Sequence, residues 1–186
     1  DPARLDFIDV VTSTHNHTDH LDAETLKPLL VASPQVEIVA PEANRMFVAG
    51  RIGVDPARII GLDDGITRSV AGYRIAGVPA AHEALERDEL GRCKYLGYVV
   101  EAGPWTIYHS GDTVYYPGMP ETLRTWPIDV ALLPINGRSP ARKVQGNLSG
   151  QEAARLAHDI GAATVIPCHY DMFAFNTATP DDFIVT

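Results

Sequence analysis

The pattern of apolar and polar positions changes character along the chain. Residues 7–14 form a short run rich in β-branched side chains, which fits a buried strand. Asp22 is placed to cap a helix over residues 23–32, with Leu26, Leu29 and Leu30 on one face and Pro28 as an awkward interior position. Residues 36–40 read as a second strand. Pro41 suits the first position of a helix over 42–49, which Gly50 would stop. Residues 58–62 give a third strand, and Asp63-Asp64-Gly65 a turn. Residues 67–70 and 73–81 alternate as paired strands do and end at His82-Glu83, and the charged run 86–89 reads as a solvated loop. Strands over 95–101 and 105–109 flank a turn at 102–104, and Ser110 to Thr113 break the second. Residues 119–126 are expected to be helical, 128–133 to be a buried strand closed by Pro134, and 135–148 to be a polar loop. Ser149 caps a helix over 150–160 with Glu152 in its first turn, and 163–167 form a last strand that ends at Cys168-His169. Strands outnumber helices early and strand–helix pairs dominate late, which predicts one α/β domain over residues 1–186, its sheets covered by helices.

Composition narrows the class. The chain has 186 residues, enough for one core, and its 45% apolar content is ordinary for a globular protein. A formal charge of −9 and a pI near 5.1 argue against general affinity for nucleic acid or anionic membrane, so a small-molecule substrate is the expected partner. No apolar run approaches the roughly 20 residues that span a bilayer, and no signal peptide is visible. The two cysteines, Cys93 and Cys168, fit no zinc-ribbon or redox spacing. A reduced, cytoplasmic setting is the simplest inference, with a single disulfide left open. The chain starts at Asp1 rather than Met, and residues 181–186 look like the start of another element, so it reads as an internal piece of a longer protein. Oligomeric state is open, a homo-oligomer included.

The densest chemistry is Thr14-His15-Asn16-His17-Thr18-Asp19-His20-Leu21-Asp22, directly after the first apolar run. Imidazole nitrogens and carboxylate oxygens suit borderline divalent metals. In extended backbone His15 and His17 share a face, and a turn would swing Asp19 and His20 toward a second point. The natural reading is a strand end opening into a loop with two adjacent metal positions. A polar, His-rich surface loop is the bland alternative. It is weakened by further donors that also follow strands: His82, Asp112 and His169. Side chains at strand ends can converge on one edge of a sheet.

In this order, His15-x-His17-x-Asp19-His20, His82, Gly111-Asp112-Thr113 and His169 resemble the metallo-β-lactamase superfamily of binuclear metallohydrolases, over most of the chain from Val11 to Tyr170. The resemblance implies an α/β, four-layer αββα sandwich with metals at one edge. It implies that His15, His17 and His82 hold one divalent ion, that Asp19, His20 and His169 hold the second, and that Asp112 bridges them. Family members usually carry several strands before the motif, and here about one precedes it, so the sandwich is expected to be incomplete at its N-terminus. Residues 129–138, Asn147-Leu148-Ser149 and 165–171 further resemble the branch that contains L-ascorbate-6-phosphate lactonase.

Two such ions would activate a shared water, polarise the substrate and stabilise the charge that develops on attack. Asp19 could also orient the hydroxide as a catalytic group. Asp22 is either an outer acceptor for a histidine or simply a helix cap. Substrate contacts are sought in Arg138, Asn147 and Tyr170, with Asn136, Arg142 and Lys143 in the same polar loop as the first two. For Tyr115 and Tyr116 packing is the stronger reading, and neither His109, His158 nor Cys168 is assigned to metal. The leading expectation is hydrolysis of a lactone or related ester, phosphorylated substrates included, with zinc or manganese as cofactor and iron also compatible. A phosphodiesterase similar to phospholipase D-like or transfer-RNA-processing members is the runner-up. A diiron flavoprotein-like oxidoreductase is disfavoured, because those proteins have Glu where this chain has His17. A non-catalytic, metal-stabilised scaffold would not need so complete a donor set.

Overall fold

A computed structural model describes residues 1–143 and 146–186; residues 144 and 145, within the expected polar loop, lie outside the described residues. Two sheets carry the fold. The first is parallel, in the order β1 (Val10–Thr12), β2 (Glu37–Pro41), β3 (Ile59–Leu62), and its crossovers run through α1 (Ala23–Ala32) and α2 (Arg45–Ile52). The second runs β4 (Thr67–Val70), β5 (Tyr73–Pro79), β6 (Leu96–Ala102), β7 (Trp105–His109), β8 (Val130–Pro134), β9 (Thr164–Cys168) in spatial as in chain order. Its first four strands are antiparallel. From β7 to β9 the strands are parallel, because α3 (Met119–Leu123) and α4 (Gly150–Ile160) return the chain across the sheet. A short α5 (Asp181–Ile184) follows.

The period-2 alternation of the strands sorts side chains into layers. On β2, Ile38 and Ala40 pack with Val48, Ala49 and Ile52 of α2, whereas Val39 points the other way, to Leu62, Ile75, Leu96 and Tyr98. On β5 and β6, Ile75, Leu96 and Tyr98 lie between the sheets, while Ala76, Val78 and Val99 join Leu123, Leu133, Leu156 and Ile160 under α3 and α4. The layers are therefore α, β, β, α, the expected sandwich. Among the described residues no helix is long and apolar enough to cross a membrane, and both cysteines are free.

Several elements depart from the sequence reading. The first strand keeps only Val10–Thr12, and Phe7 is 68% exposed. The helix expected over 42–49 is a 3-10 turn at Glu42–Asn44 followed by α2, which passes through Gly50 and stops three residues later. Gly53 takes the left-handed conformation (φ 78°) that ends it, and its N–H bonds the Ala49 carbonyl. Pro28 does not break α1, which buries Leu29 and rests Leu26 and Leu30 on the first core. The helix after Gly118 ends at Leu123, short of residue 126, in tight turns from Thr125 to Thr122 and Trp126 to Leu123. Ser149 caps α4 as expected, and Glu152 bonds back to the Ser149 N–H to complete a capping box.

Candidate metal centre

The loop after β1 is fixed before its histidines are used. Ser13 N–H bonds the Val39 carbonyl, and the Leu96 N–H bonds the Thr14 carbonyl, so the loop is tied to both sheets. Tyr98, buried between the sheets, donates its hydroxyl to the Ser13 carbonyl at 2.8 Å. The Ser13 hydroxyl lies 3.1 Å from the His15 carbonyl and 3.0 Å from that of His20, and the N–H groups of His20 and Leu21 both turn back to the His17 carbonyl. The loop then ends at Asp22, whose carboxylate accepts from the Glu24 and Thr25 N–H groups; of its two readings, the structure places it as helix cap.

The other donors arrive on strand ends. Thr113 stitches two of them together: its hydroxyl oxygen accepts from the Ala81 N–H, and the next N–H, of Val114, bonds the Ala81 carbonyl. This holds His82 beside Asp112. Gly111 sits at φ 61°, and a Cβ there would lie 2.8 Å from Thr14 Cβ, so only glycine lets the Asp112 turn close on the histidine loop. His169, one residue past β9, also adopts positive φ (58°), which turns the chain just after the strand.

These segments bring seven expected donors together. The ligating atoms of His15, His17 and His82 lie within 4.8 Å of one another, as do those of Asp19, His20 and His169 and those of His15, His20 and Asp112. Asp112 stands between the trios: Oδ1 is 3.2 Å from His20 Nε2, and Oδ2 is 3.2 Å from His169 Nε2 and 3.5 Å from His82 Nε2. Asp19 Oδ2 lies 3.6 Å from His20 Nε2 and 3.5 Å from His169 Nε2. His15 Nε2 and His17 Nδ1 face each other at 3.0 Å. Behind the donors, His82 Nδ1 pairs with the Gly146 carbonyl at 2.9 Å, and Thr14 Oγ1 touches His15 Nδ1 at 3.0 Å and His20 Nδ1 at 3.1 Å.

The electrostatics favour a charged guest. Burial, then the charge of His20, pushes the His15 imidazole down to about 2, and burial also lowers His82, so both present lone pairs at neutral pH. The hydrogen bond from His169 lowers Asp19. Burial opposes the charge on Asp112, yet His169 and His20 together hold its carboxyl well below the usual range. Burial likewise opposes a proton on His169, but its bonds to Asp112 and Asp19 raise it to about 10. Asp112 Oδ1 is buried and, for all its nearness to His20, makes no well-aligned hydrogen bond among the described residues. A buried carboxylate oxygen short of partners among facing imidazole nitrogens is what a divalent cation would satisfy.

The remaining expectations separate. His17, Asp19, His82, Asp112 and His169 line a cleft of 620 Å³, whereas Arg138, Asn147 and Tyr170 do not. Arg138 forms a bidentate pair with Glu152 at 2.6 and 2.9 Å, Asn147 is buried against Asn136, and Tyr170 packs on the core beneath α3 and α4. Arg142 bonds the Asn136 and Thr177 carbonyls. Tyr115 and Tyr116 pack on the same core, their hydroxyls on Asp159 and the Pro79 carbonyl. His109 accepts from the Gly111 N–H, and His158 is exposed. Not foreseen were Arg51, Phe173, Phe175 and Asn176 on the cleft wall and Tyr95, whose ring lies 5.2 Å from His15 and 5.7 Å from His82. Arg51 and Tyr95 come from segments with no donor motif, and Phe173, Phe175 and Asn176, though they follow His169 closely, are residue types that signal packing or a turn as readily as a site.

A family profile described as beta-lactamase superfamily domain matches residues 1–170. A UPF0173 metal-dependent hydrolase of Pyrococcus abyssi is 32% identical over 186 residues, covering 98% of this chain and 75% of that protein. One of Rubrobacter xylanophilus is 30% identical over 181 residues, covering 95% and 69%. Among solved structures, a metallo hydrolase from Ignicoccus hospitalis superposes with a TM-score of 0.71 at 23% identity, covering 94% of this chain and 69% of that one, a likeness of fold. The chain belongs to the UPF0173 metal-dependent hydrolases of the beta-lactamase superfamily.

Proposed function

We propose that this chain hydrolyses a lactone or a related ester, phosphorylated substrates included, with two divalent ions in the cluster. His15, His17 and His82 would hold one, Asp19, His20 and His169 the other, and Asp112 would lie between them. The observation that carries this reading is the Asp112 carboxylate, which meets imidazoles of both trios within 3.5 Å. When bound, such ions make hydroxide available near neutral pH and draw electron density from the carbonyl under attack. The protein's own part is positional. His82 is held by the Gly146 carbonyl and His15 and His20 by Thr14, so the rings do not have to find their orientation when metal arrives. Asp19 lines the cleft as a carboxylate, where an oxygen can accept a proton from the attacking water and return it to the leaving alkoxide. Zinc, manganese and iron all suit His and Asp donors.

The test is turnover of a panel of small lactones, aryl esters and phosphodiesters by wild type and Asp112→Ala, each loaded with zinc or manganese. Lactone or ester turnover that Asp112→Ala abolishes supports the reading. Turnover of phosphodiesters alone moves the assignment to a phosphodiesterase. No turnover of any class, from protein that binds metal, favours the scaffold.

A further inference from the structure

Among the described residues two cations line the cleft, neither with a carboxylate partner. Arg51 comes from the last turn of α2 and Lys143 from the loop after β8, far apart in sequence, in a chain of net charge −9. Arg51 is held at two points: Nη1 donates to the Asn16 carbonyl at 2.6 Å, and the guanidinium stands 4.5 Å over the Phe47 ring. Among the described residues neither Arg51 nor Lys143 forms an ion pair, a state they share with Arg58, Arg68 and Arg124, but they are the two cations that line this cleft. A guanidinium has five N–H donors, so Arg51 is oriented by one bond and a ring while donors remain. The acids lining the same cleft, Asp19 and Asp112, are turned to imidazoles. On the cleft wall the rings of Phe173 and Phe175 lie 5.6 Å apart, and Phe175 is 63% exposed.

Arg51 has a structural use as well, at a helix C-terminus that favours a positive charge. That use accounts for its bond to Asn16. It does not account for a second cation arriving at the same cleft from another element, on a wall that also carries the half-buried Phe173 and the exposed Phe175.

We propose that Arg51 and Lys143 bind an anionic group of the substrate, a carboxylate or a phosphate away from the scissile bond, and that Phe173 and Phe175 cover an apolar part beside it. This rests on the hydrolase reading and specifies its substrate class: an ester or lactone that carries both a negative charge and an apolar body. Arginine suits the role because its planar fork meets a carboxylate or phosphate with paired hydrogen bonds.

The test uses metal-loaded wild type, Arg51→Gln, Arg51→Lys and Lys143→Gln. Calorimetric titration compares hydrocinnamate with the neutral hydrocinnamyl alcohol, and kinetics compare nitrophenyl hydrogen glutarate with nitrophenyl butyrate. Wild type should favour the anion in both comparisons. Arg51→Gln should lower the anionic-to-neutral ratio of kcat/KM, and of binding constants, by about tenfold or more, with Arg51→Lys intermediate. Lys143→Gln, in a surface loop, should lower the same ratios if Arg51→Gln does not fold. Hydrolysis of both esters with ratios unaltered by the substitutions overturns this proposal and leaves the hydrolase reading standing. Arg51-dependent binding of hydrocinnamate without hydrolysis of either ester supports the anion site, and the hydrolase reading is then decided by the lactone, ester and phosphodiester panel. Hydrocinnamate binding that is insensitive to all the substitutions reports a carboxylate on the metal and also overturns it.

Discussion

Thr14 is the position where a change of one atom should tell most about the centre. Its hydroxyl oxygen touches the Nδ1 atoms of both His15 and His20. If each ring carries its proton on Nδ1, the oxygen accepts both N–H bonds with its two lone pairs, and both Nε2 lone pairs are left for metal. Thr14→Val keeps the shape of this buried side chain and removes only the acceptor. Each hydrogen bond is worth about 1 kcal/mol net, and about 1.4 kcal/mol is a tenfold change, so losing two should weaken zinc binding roughly 30-fold. That figure sits within the ~10–100-fold range typical of partners behind metal-ligating histidines. The assay is competition for zinc against a chromophoric chelator, with circular dichroism to confirm the fold and Thr14→Ser as the variant that keeps the hydroxyl. Wild-type zinc affinity in Thr14→Val would refute the tautomer argument; equal losses in Val and Ser variants would point to packing instead.

Three further outcomes follow from packing and charge. In protein stripped of metal, His169 is raised to about 10, so its contribution to stability is complete below its ordinary value near 6.5 and is lost as pH rises through 10; His15 and His82 are lowered and disfavour acid below 6.5. Urea midpoints in chelator should therefore peak near neutrality and fall on either side, and the alkaline fall should flatten in His169→Gln. Leu133→Ala empties a fully buried position between β8 and the helices and should cost about 2–5 kcal/mol in urea unfolding, without a change in zinc affinity. Among the described residues the buried Tyr108 hydroxyl has no hydrogen-bond partner, so Tyr108→Phe should raise stability by about 1 kcal/mol; a comparable loss would mean that the hydroxyl has a partner such as bound water.

The candidate metal centre was legible in the sequence to the extent that chemistry is concentrated in rare residues at strand ends. His15, His17, Asp19 and His20 lie on one short loop, and the period-2 strands that deliver His82, Asp112 and His169 could be read from their β-branched runs. The layered fold was legible for the same reason, since alternation on β2, β5 and β6 encodes which side each residue faces. Helix ends were less so. Gly50 looks like a stop, but α2 continues to Gly53, where packing of Ile52 adds one more turn. The wall of the cleft was the least legible part. Arg138 has the chemistry of an anion binder, yet the capping-box Glu152 is close enough to take it. Arg51 looks like an ordinary helical surface residue until the tertiary fold sets it beside Asn16 and the cleft. Such contacts depend on which segments meet, and residue type carries no trace of that.

The central claim is a two-metal centre, and metal content measures it directly. Protein purified without chelator, saturated with zinc or manganese and freed of excess by gel filtration, should carry close to two ions per chain by elemental analysis, and Asp112→Ala should carry fewer. Two ions in wild type with loss in the variant is the expected result. A folded protein that takes up no more than one ion, or whose metal content is untouched by Asp112→Ala, would contradict it.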